Sequence, residues 1–345
     1  MRWWILILII MTIPFTNLLA SEDENSTRDQ RLIDKIEELE KQVKELTEES
    51  KARKILKITD EEKAEKEKEV LSAAGRSYTL LAKGSLELDY RFSYDYAASD
   101  SVREAFEIER TYNHTITHTL SSTYGVFDNL SLNVNLPFVY RYHKLDTVDE
   151  MDETDIGDIS FSLQFQPMKS EKGSYAAIFN FSVVTPTGRS PYKINTETEL
   201  STGSGLFSYQ AGMNISKSID PLIVFGSINY SYRQTLTGLD QQFSGSILEK
   251  VEPGDSVTVG IGYAYSLSYR VSFNQQFQYS FAYGSKYSFA GATAESPSRS
   301  SATLLFGTGW KVSSKTSFYI NLGIGLTRDD PDFTLSVRVP FEFIL

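Results

Sequence analysis

The chain has 345 residues, of which 34 are Lys or Arg and 45 are Asp or Glu, and its formal net charge is −11. That negative charge argues against nucleic acid as a partner, and the absence of Cys excludes a disulfide framework and a lipid-modified cysteine. The 21 Phe and 20 Tyr, beside a mean hydropathy of −0.27, suit strands in which aromatic and polar residues alternate.

Residues 1–20 have the pattern of a secretory signal peptide. They carry a single Arg, continue through an apolar run and end on Leu18-Leu19-Ala20 before an acidic stretch. No later stretch approaches the roughly eighteen continuous apolar residues that a membrane-spanning helix needs. We therefore expect a chain that leaves the cytoplasm and that has no helical membrane spans.

Residues 21–57 are predicted to form a coiled coil. From Ser21 to Arg76 there are 17 acidic and 13 basic residues, too many charges for a globular core. Apolar residues fall at alternating d and a positions of a heptad: Leu32, Ile36, Leu39, Val43 and Leu46. A homo-oligomer, trimer or dimer, would follow from this pattern. A single charged helix or a linker is the alternative.

Residues 58–76 are predicted to form a second helix that acts as a plug or a linker. Thr59 and Glu62 have the spacing of a capping box, and the helix would run from residue 60 to about residue 74, before Gly75. The segment contains few apolar residues. Such a helix must lie in water or in a polar cavity.

Residues 77–345 show the period-two pattern of strands. In residues 86–96 the even positions carry only Leu, Tyr and Phe, and the odd positions carry charged residues and Ser. The pattern recurs in segments of about ten residues, the length that crosses a bilayer as a tilted strand. About twelve such segments are predicted, at residues 85–96, 112–124, 130–143, 159–167, 175–185, 206–217, 222–233, 256–266, 269–283, 301–312, 316–327 and 332–345.

The connectors between these segments alternate in length, as they do in outer-membrane barrels. Residues 124–129, 218–221, 266–268 and 313–315 are short, whereas residues 145–158, 186–203, 234–255 and 284–300 are long. The last segment should pair with the first, because a bilayer cannot satisfy an open sheet edge. Its apolar end is expected to be the assembly signal: Phe341, Phe343 and Leu345.

These patterns together predict an all-β fold. It is a transmembrane antiparallel β-barrel of about 12 strands, formed by residues 77–345 and preceded by an α-helical coiled coil and a plug helix.

Several strand-end motifs resemble the outer-membrane transporter family labelled as the MetA pathway of phenol degradation. They are Gly157-Asp-Ile-Ser-Phe-Ser162, Val184-Thr-Pro-Thr-Gly188, Leu200-Ser-Thr-Gly-Ser-Gly205, and Asp220-Pro221 followed by Phe225-Gly-Ser-Ile-Asn-Tyr230. The resemblance covers about residues 77–345. With the N-terminal helices added, the whole layout resembles the functional-amyloid secretion channel of the Fap system. That resemblance implies a helical pore plug and a trimerising coiled coil.

No catalytic, metal or cofactor site is predicted, so we expect that the protein is not an enzyme. His114 and His118 lie four residues apart on one predicted strand, about 13 Å, which is too far to share a metal ion. The sequence has no nucleophile elbow and no phosphate-binding loop. The acidic stretch 146–155 is expected to be a solvated loop, with a site for divalent cations as the alternative.

Strand parity gives two further sets of candidate site residues. Seven charged residues are expected to face the lumen and contact the plug: Glu87, Asp89, Arg91, Arg270, Lys311, Arg338 and Glu342. Three polar residues on one strand are expected to face lipid, which favours cover by a second barrel: His114, His118 and Ser122.

Three functions remain open at the level of sequence. The first is gated export of functional-amyloid subunits through a helix-plugged barrel, which the polar segment before the first strand favours. The second is passive or gated uptake of small hydrophobic or aromatic molecules, and the third is a structural outer-membrane tether. The expected partners are outer-membrane lipid, other copies of the chain and a transported polypeptide or small molecule. The N-terminal helical region is expected to lie in the periplasm.

Overall fold

The computed structural model describes residues 35, 38, 41, 43, 70–72, 75, 78–102, 108–145, 149–167, 175–195, 198–219, 222–243, 245–268, 270–312, 316–328 and 331–344. The chain forms two compact units, Met1–Glu62 and Lys63–Leu345. No helix within the described ranges is long and apolar enough to cross a bilayer.

The described residues of the first unit are helical. They are Lys35, Glu38, Lys41 and Val43, and all four side chains are exposed. Four of the five predicted heptad residues lie outside the described residues: Leu32, Ile36, Leu39 and Leu46. The signal peptide and most of the second predicted helix also lie outside them, so the coiled coil stays a prediction.

The second unit is built from strands. In chain order they are β1 (Ser85–Val102), β2 (Ile108–Phe127), β3 (Leu130–Leu145), β4 (Asp149–Ile156), β5 (Ser160–Phe165), β6 (Ala176–Val184), β7 (Ser208–Ile219), β8 (Leu222–Arg233), β9 (Leu236–Phe243), β10 (Ser246–Glu252), β11 (Ser256–Ser266), β12 (Val271–Ala282), β13 (Lys286–Phe289), β14 (Ala292–Glu295), β15 (Arg299–Lys311), β16 (Ser317–Gly325) and β17 (Phe333–Ile344).

Twelve of the described strands form a closed antiparallel barrel. Around the ring their order is β1, β2, β3, β5, β6, β7, β8, β11, β12, β15, β16 and β17. The ring closes where β17 pairs with β1, from Ser85 opposite Ile344 to Tyr96 opposite Phe333. The predicted barrel and its seam between the last and first strands are thereby confirmed. Closure leaves no edge whose backbone groups would be unpaired in lipid.

The two ends of the barrel differ in the length of their connections. At one end, here called the turn end, short segments such as residues 128–129 and 267–270 join neighbouring strands. At the opposite end, the loop end, the long connections carry strands that the sequence pattern did not predict. Four of these form a separate sheet in the order β14, β13, β10, β9.

The fifth unpredicted strand, β4, corrects the interpretation of the acidic stretch 146–155 as a solvated loop. Residues 149–156 instead pair with β3 from Leu145 to Phe138 and lengthen the wall at the loop end. Lys144 bonds Glu150 across this hairpin at 2.5 Å. Backbone pairing and this ion pair hold the acidic residues in a strand, and neither is visible in composition alone.

Side chains alternate between the lumen and the outer face along each barrel strand, as the pleat requires. On β1 the side chains of Glu87 and Asp89 are 7% and 6% exposed, whereas that of Leu88 between them is 43% exposed. The lumen-facing rows are rich in Ser, Thr, Asn and Gln, and the outer rows carry Leu, Val, Ile, Phe and Tyr. This arrangement matches a barrel with lipid outside and water inside.

Candidate functional site in the barrel lumen

A segment that precedes β1 packs against the inner wall of the barrel. Residues 70–72 of this segment are helical, and its backbone hydrogen-bonds from Gly75 N to the Leu71 carbonyl at 3.1 Å. Its apolar side chains join one buried cluster with inner-wall residues of β8 and β11: Val70, Leu71, Tyr78, Ile223, Phe225 and Ala264. Both Ile223 and Ala264 lie near the turn end, so the cluster sits in that half of the barrel.

Arg338 holds the same segment from a distant part of the wall. Its Nη2 donates to the Ser72 carbonyl at 2.5 Å, and its Nη1 donates to Asp89 Oδ2 at 3.2 Å. The guanidinium also lies over the Tyr319 ring, 4.4 Å from the ring centre. Arg338 is on β17, four strands from β11 and five from β8 around the ring. The described residues of the segment therefore contact wall residues on different sides of the bore.

Two glycines let the turn that leads from this segment into β1 pack closely against β2. Gly84, with φ of 77°, donates its N–H to the Gly125 carbonyl on β2 at 2.8 Å. A Cβ on Gly125 would lie 2.0 Å from the Ala82 carbonyl oxygen, so only glycine lets the turn pass so close. Leu81, 1% exposed, donates its N–H to Ser131 Oγ on β3 at 3.3 Å. These contacts fix where the segment enters the wall.

The side chain of Tyr78 is buried in a pocket of the lumen wall, here called its seat. Its side chain is 6% exposed, and its ring centre lies 4.7 Å from that of Phe225 at an interplanar angle of 57°. Its hydroxyl is within hydrogen-bonding reach of the side chains of Ser227 and Gln276. Those two side chains flank Gly260, where a Cβ would lie 2.7 Å from Gln276 Nε2 and 2.8 Å from Ser227 Oγ. The seat thus offers an apolar wall to the ring and polar groups to the hydroxyl.

Five of the seven predicted lumen residues lie on the paired strands β1 and β17. Glu87 and Glu342 are opposite each other in the pairing of β1 with β17, and so are Arg91 and Arg338. Lys311 lies in the lumen-facing row of β15, opposite Ser317 of β16. Arg270 is different: it is exposed in the turn after β11, and its side chain makes no hydrogen bond or ion pair with any part of the chain that the structure describes.

Sequence reasoning missed the apolar wall that receives the segment. We expected charge to hold a polar helix, whereas the described contacts combine one arginine with a buried apolar cluster. The missed signal is in β8, where residues 222–225 are Leu-Ile-Val-Phe and so apolar at four consecutive positions. A strand between lipid and water should be apolar on one face only, so Ile223 and Phe225 mark an inner wall that is covered.

His114 and His118 lie on the outer face of β2, and each has a partner within the chain. His118 Nδ1 is 2.8 Å from the Tyr90 hydroxyl, and His114 Nδ1 is 2.9 Å from the Tyr94 hydroxyl. These bonds satisfy part of the polarity that made us expect cover from a second barrel. The interface with Ser122 stays a prediction, and cross-linking through a cysteine at that position would test it. No group of three metal-binding side chains occurs within the described ranges.

The residues expected to form the assembly signal end the wall at the seam. Phe341 and Phe343 are on the outer face of β17 and are 45% and 47% exposed, and Leu345 lies outside the described residues. Their role in assembly stays a prediction.

At the loop end, Asp158 ties three of the strand-end motifs together. Its Oδ1 accepts the Gly188 N–H at 3.0 Å, and its Oδ2 accepts the Ser204 N–H and hydroxyl, each at 2.6 Å. A Cβ on Gly188 would lie 2.8 Å from the Gly203 Cα, so these backbones also touch directly. The motifs, far apart in sequence, therefore meet at Asp158, which holds Gly188 and Ser204 at the barrel rim.

The same loop is held on two further sides. Arg189 bonds Glu153 on β4, and it bonds Glu199 within the loop at 2.6 Å. Gln241 on β9 donates its Nε2 to the carbonyls of Pro191 and Ile194 at 2.7 and 2.9 Å. Between this loop and residues 234–239 lies a cavity of about 800 Å³ with apolar and charged walls. The loop end thus has a preformed vestibule.

Comparison with known proteins agrees with this architecture. The family described as "Putative MetA-pathway of phenol degradation" matches residues 105–343. An outer membrane channel of the COG4313 group from Pseudomonas putida F1 has a similar fold, with a TM-score of 0.59 and 13% identity over 77% of this chain and 98% of that chain.

Two other solved structures are less similar. The translocator domain of the autotransporter NalP from Neisseria meningitidis gives a TM-score of 0.46 and 10% identity over 80% of this chain and 93% of that chain. The toluene transporter TodX from Pseudomonas putida gives a TM-score of 0.43 and 10% identity over 76% of this chain and 89% of that chain. Because the family match spans more than half of the chain, from before β2 to the end of β17, this chain belongs to the family described as the putative MetA pathway of phenol degradation.

Proposed function

We propose that the protein is an outer-membrane channel whose lumen is closed by its own inner segment, residues 70–82. The observation that carries this proposal is that the segment touches walls on different sides of the bore. Arg338 of β17 binds the Ser72 carbonyl, while Tyr78 packs on Phe225 of β8. The channel opens when these contacts break and the segment leaves the lumen.

The wall chemistry suits a water-filled path that a polypeptide segment blocks. The lumen-facing rows carry Ser, Thr, Asn and Gln, which suit a water-filled path. The covered apolar residues of β8 and β11 are confined to the seat of the segment. Barrels of about twelve strands have a bore wider than an eight-stranded barrel, which side chains alone fill. One helix of about 10 Å diameter is of the size to close such a bore.

For the cargo we favour small aromatic molecules. The family description concerns phenol degradation, and the COG4313 protein is described as a channel. A channel that admits small aromatic compounds would supply such a pathway with its substrates. The outer membrane is the matching location, because most exposed side chains on the outer face of the barrel are apolar.

Export of polypeptides, including amyloid subunits, is the second candidate. One observation favours it: the lumen already holds a stretch of polypeptide, so the bore admits a chain once the segment is withdrawn. A purely structural tether needs no inner segment bound to several walls, and we therefore place it last.

Deletion of residues 21–76 tests the channel proposal. This variant lacks Val70, Leu71 and Ser72 but retains every barrel strand, so it should fold. In planar bilayers we expect higher conductance than in the full-length protein, with few closures. Deletion of residues 21–57 alone is the matched control, since it removes the predicted coiled coil and leaves the inner segment; it should gate as the full-length protein does.

Equal conductance and gating in all three proteins would contradict the closure proposal. The same preparation distinguishes uptake of small molecules from export of polypeptides. Vesicles that contain the 21–76 deletion should release a trapped aromatic anion that does not cross lipid, such as 4-hydroxybenzenesulfonate, if uptake of small molecules is the function. Release of an unfolded peptide of several kilodaltons would instead favour polypeptide export.

A further inference from the structure

We propose that the seat of Tyr78 is a binding site for small phenols, and that a phenol opens the lumen by taking the place of the Tyr78 side chain. The binding half of this proposal stands on the geometry of the seat alone. The gating half rests on the proposed function, because it requires that the inner segment closes the channel.

The first step is chemical identity. Beyond its Cα, the side chain of Tyr78 is a para-substituted phenol, and it is almost fully buried at 6% exposure. The surface that encloses it is therefore already complementary to a phenol ring with its hydroxyl. A free phenol of the same size meets the same groups when the segment moves away.

The second step is the match between each part of the seat and each part of the ligand. Phe225 supplies a ring contact at 4.7 Å and 57°, a tilted aromatic arrangement of the favourable kind. Ala264 is 0% exposed and Ile223 is 6% exposed, and they complete the apolar floor. The side chains of Ser227 and Gln276 lie beside the hydroxyl. A ligand without a hydroxyl leaves those polar groups unpaired, which is how buried sites discriminate between such analogues.

The third step concerns space. Gly260 lies between Ser227 and Gln276, and a Cβ there would come within 2.7 Å of Gln276 Nε2. A larger residue at position 260 would therefore displace the two polar side chains that lie beside the hydroxyl. Cavities left when a buried large side chain is shortened are known to bind small molecules of matching shape. Shortening Tyr78 should expose such a cavity.

The fourth step sets the concentration range. Tyr78 is tethered to the wall through Leu81 and β1, and a short tether gives an effective concentration on the order of millimolar. A free phenol competes only when its concentration approaches that value. We therefore expect graded opening at about millimolar phenol, and tighter binding when Tyr78 no longer competes.

The experiment uses the full-length protein refolded in detergent with 4-fluorophenol as the probe, followed by fluorine NMR. Tyr78→Ala should bind 4-fluorophenol at least tenfold more tightly than the wild type. It should bind fluorobenzene, which lacks the hydroxyl, more weakly than 4-fluorophenol. Adding Gln276→Leu to Tyr78→Ala should remove most of that preference. Tyr175→Ala, which shortens an exposed tyrosine at the turn end, is the matched control and should behave as the wild type.

Single-channel recording tests the gating half. Phenol at millimolar concentration should increase the open time of the wild type. Fluorobenzene, the control that lacks the hydroxyl, should increase it less. If 4-fluorophenol binds Tyr78→Ala no better than the wild type, the phenol site is wrong and the closure proposal is untouched. If it binds, yet Tyr78→Ala without ligand conducts as the wild type does, displacement and closure both fail.

Discussion

At the scale of single residues, Arg338 illustrates how one side chain links the wall to the inner segment. Arg338 is 4% exposed, and its guanidinium contacts Asp89, the Ser72 carbonyl and the Tyr319 ring together. The alternation of β17 predicts that Arg338 faces the lumen. The alternation contains no information about Ser72, because that contact depends on where a segment outside the sheet lies.

Replacement of Arg338 should weaken both the fold and the closed state. Arg338→Ala leaves the buried Asp89 carboxylate without its guanidinium, and we expect a loss of about 1–3 kcal/mol in the free energy of unfolding. Arg338→Lys keeps the charge but not the forked geometry that reaches two acceptors, so its loss should be smaller. Denaturant unfolding in lipid vesicles measures both, with the exposed Arg299→Ala as control. Equal stability of Arg338→Ala and the control would show that the pair contributes little.

At the scale of elements, the twelve barrel strands were predictable and the five strands at the loop end were not. Barrel strands have one apolar face along about ten residues, since lipid demands it. The strands β4, β9, β10, β13 and β14 lie outside that constraint. Their pattern is mixed, as in residues 292–295, which are all exposed. Pairing to a neighbour fixes these strands, and pairing is not a property of the local sequence.

The hydrogen bonds that Asp158 accepts give a prediction at this scale. Asp158→Ala removes the acceptor of the Gly188 and Ser204 amides, so residues 185–207 should detach from the rim. Hydrogen exchange of those two amides should accelerate about tenfold or more, the expected effect of losing a charged acceptor. The exposed Asp240→Ala is the matched control. Unchanged exchange in Asp158→Ala would mean that Arg189 and Gln241 hold the loop without it.

At the scale of the whole molecule, sequence alone sufficed for the closed barrel and its seam, because the bilayer enforces both. It also predicted that a helical segment before β1 belongs with the lumen. The wall residues that the segment contacts could not be predicted from the sequence. Ile223 and Phe225 carry the only local signal, a run that is apolar on both faces, and nothing in it identifies Val70, Leu71 or Tyr78 as the partners. Those partners are more than 140 residues away in the chain.

A reversible lock tests the central claim, that the inner segment closes the lumen, most directly. The chain has no Cys, so the pair Tyr78→Cys and Phe225→Cys can be joined selectively by a short bis-methanethiosulfonate, which forms one disulfide with each thiol as methanesulfinate leaves and is removed by reduction. Before linking, the double variant should conduct more than the wild type, because the aromatic contact is gone. Linking should return the conductance to the closed level, and reduction should restore it. Each single-cysteine variant treated with the same reagent is the control. Conductance that stays the same through linking and reduction would contradict the account.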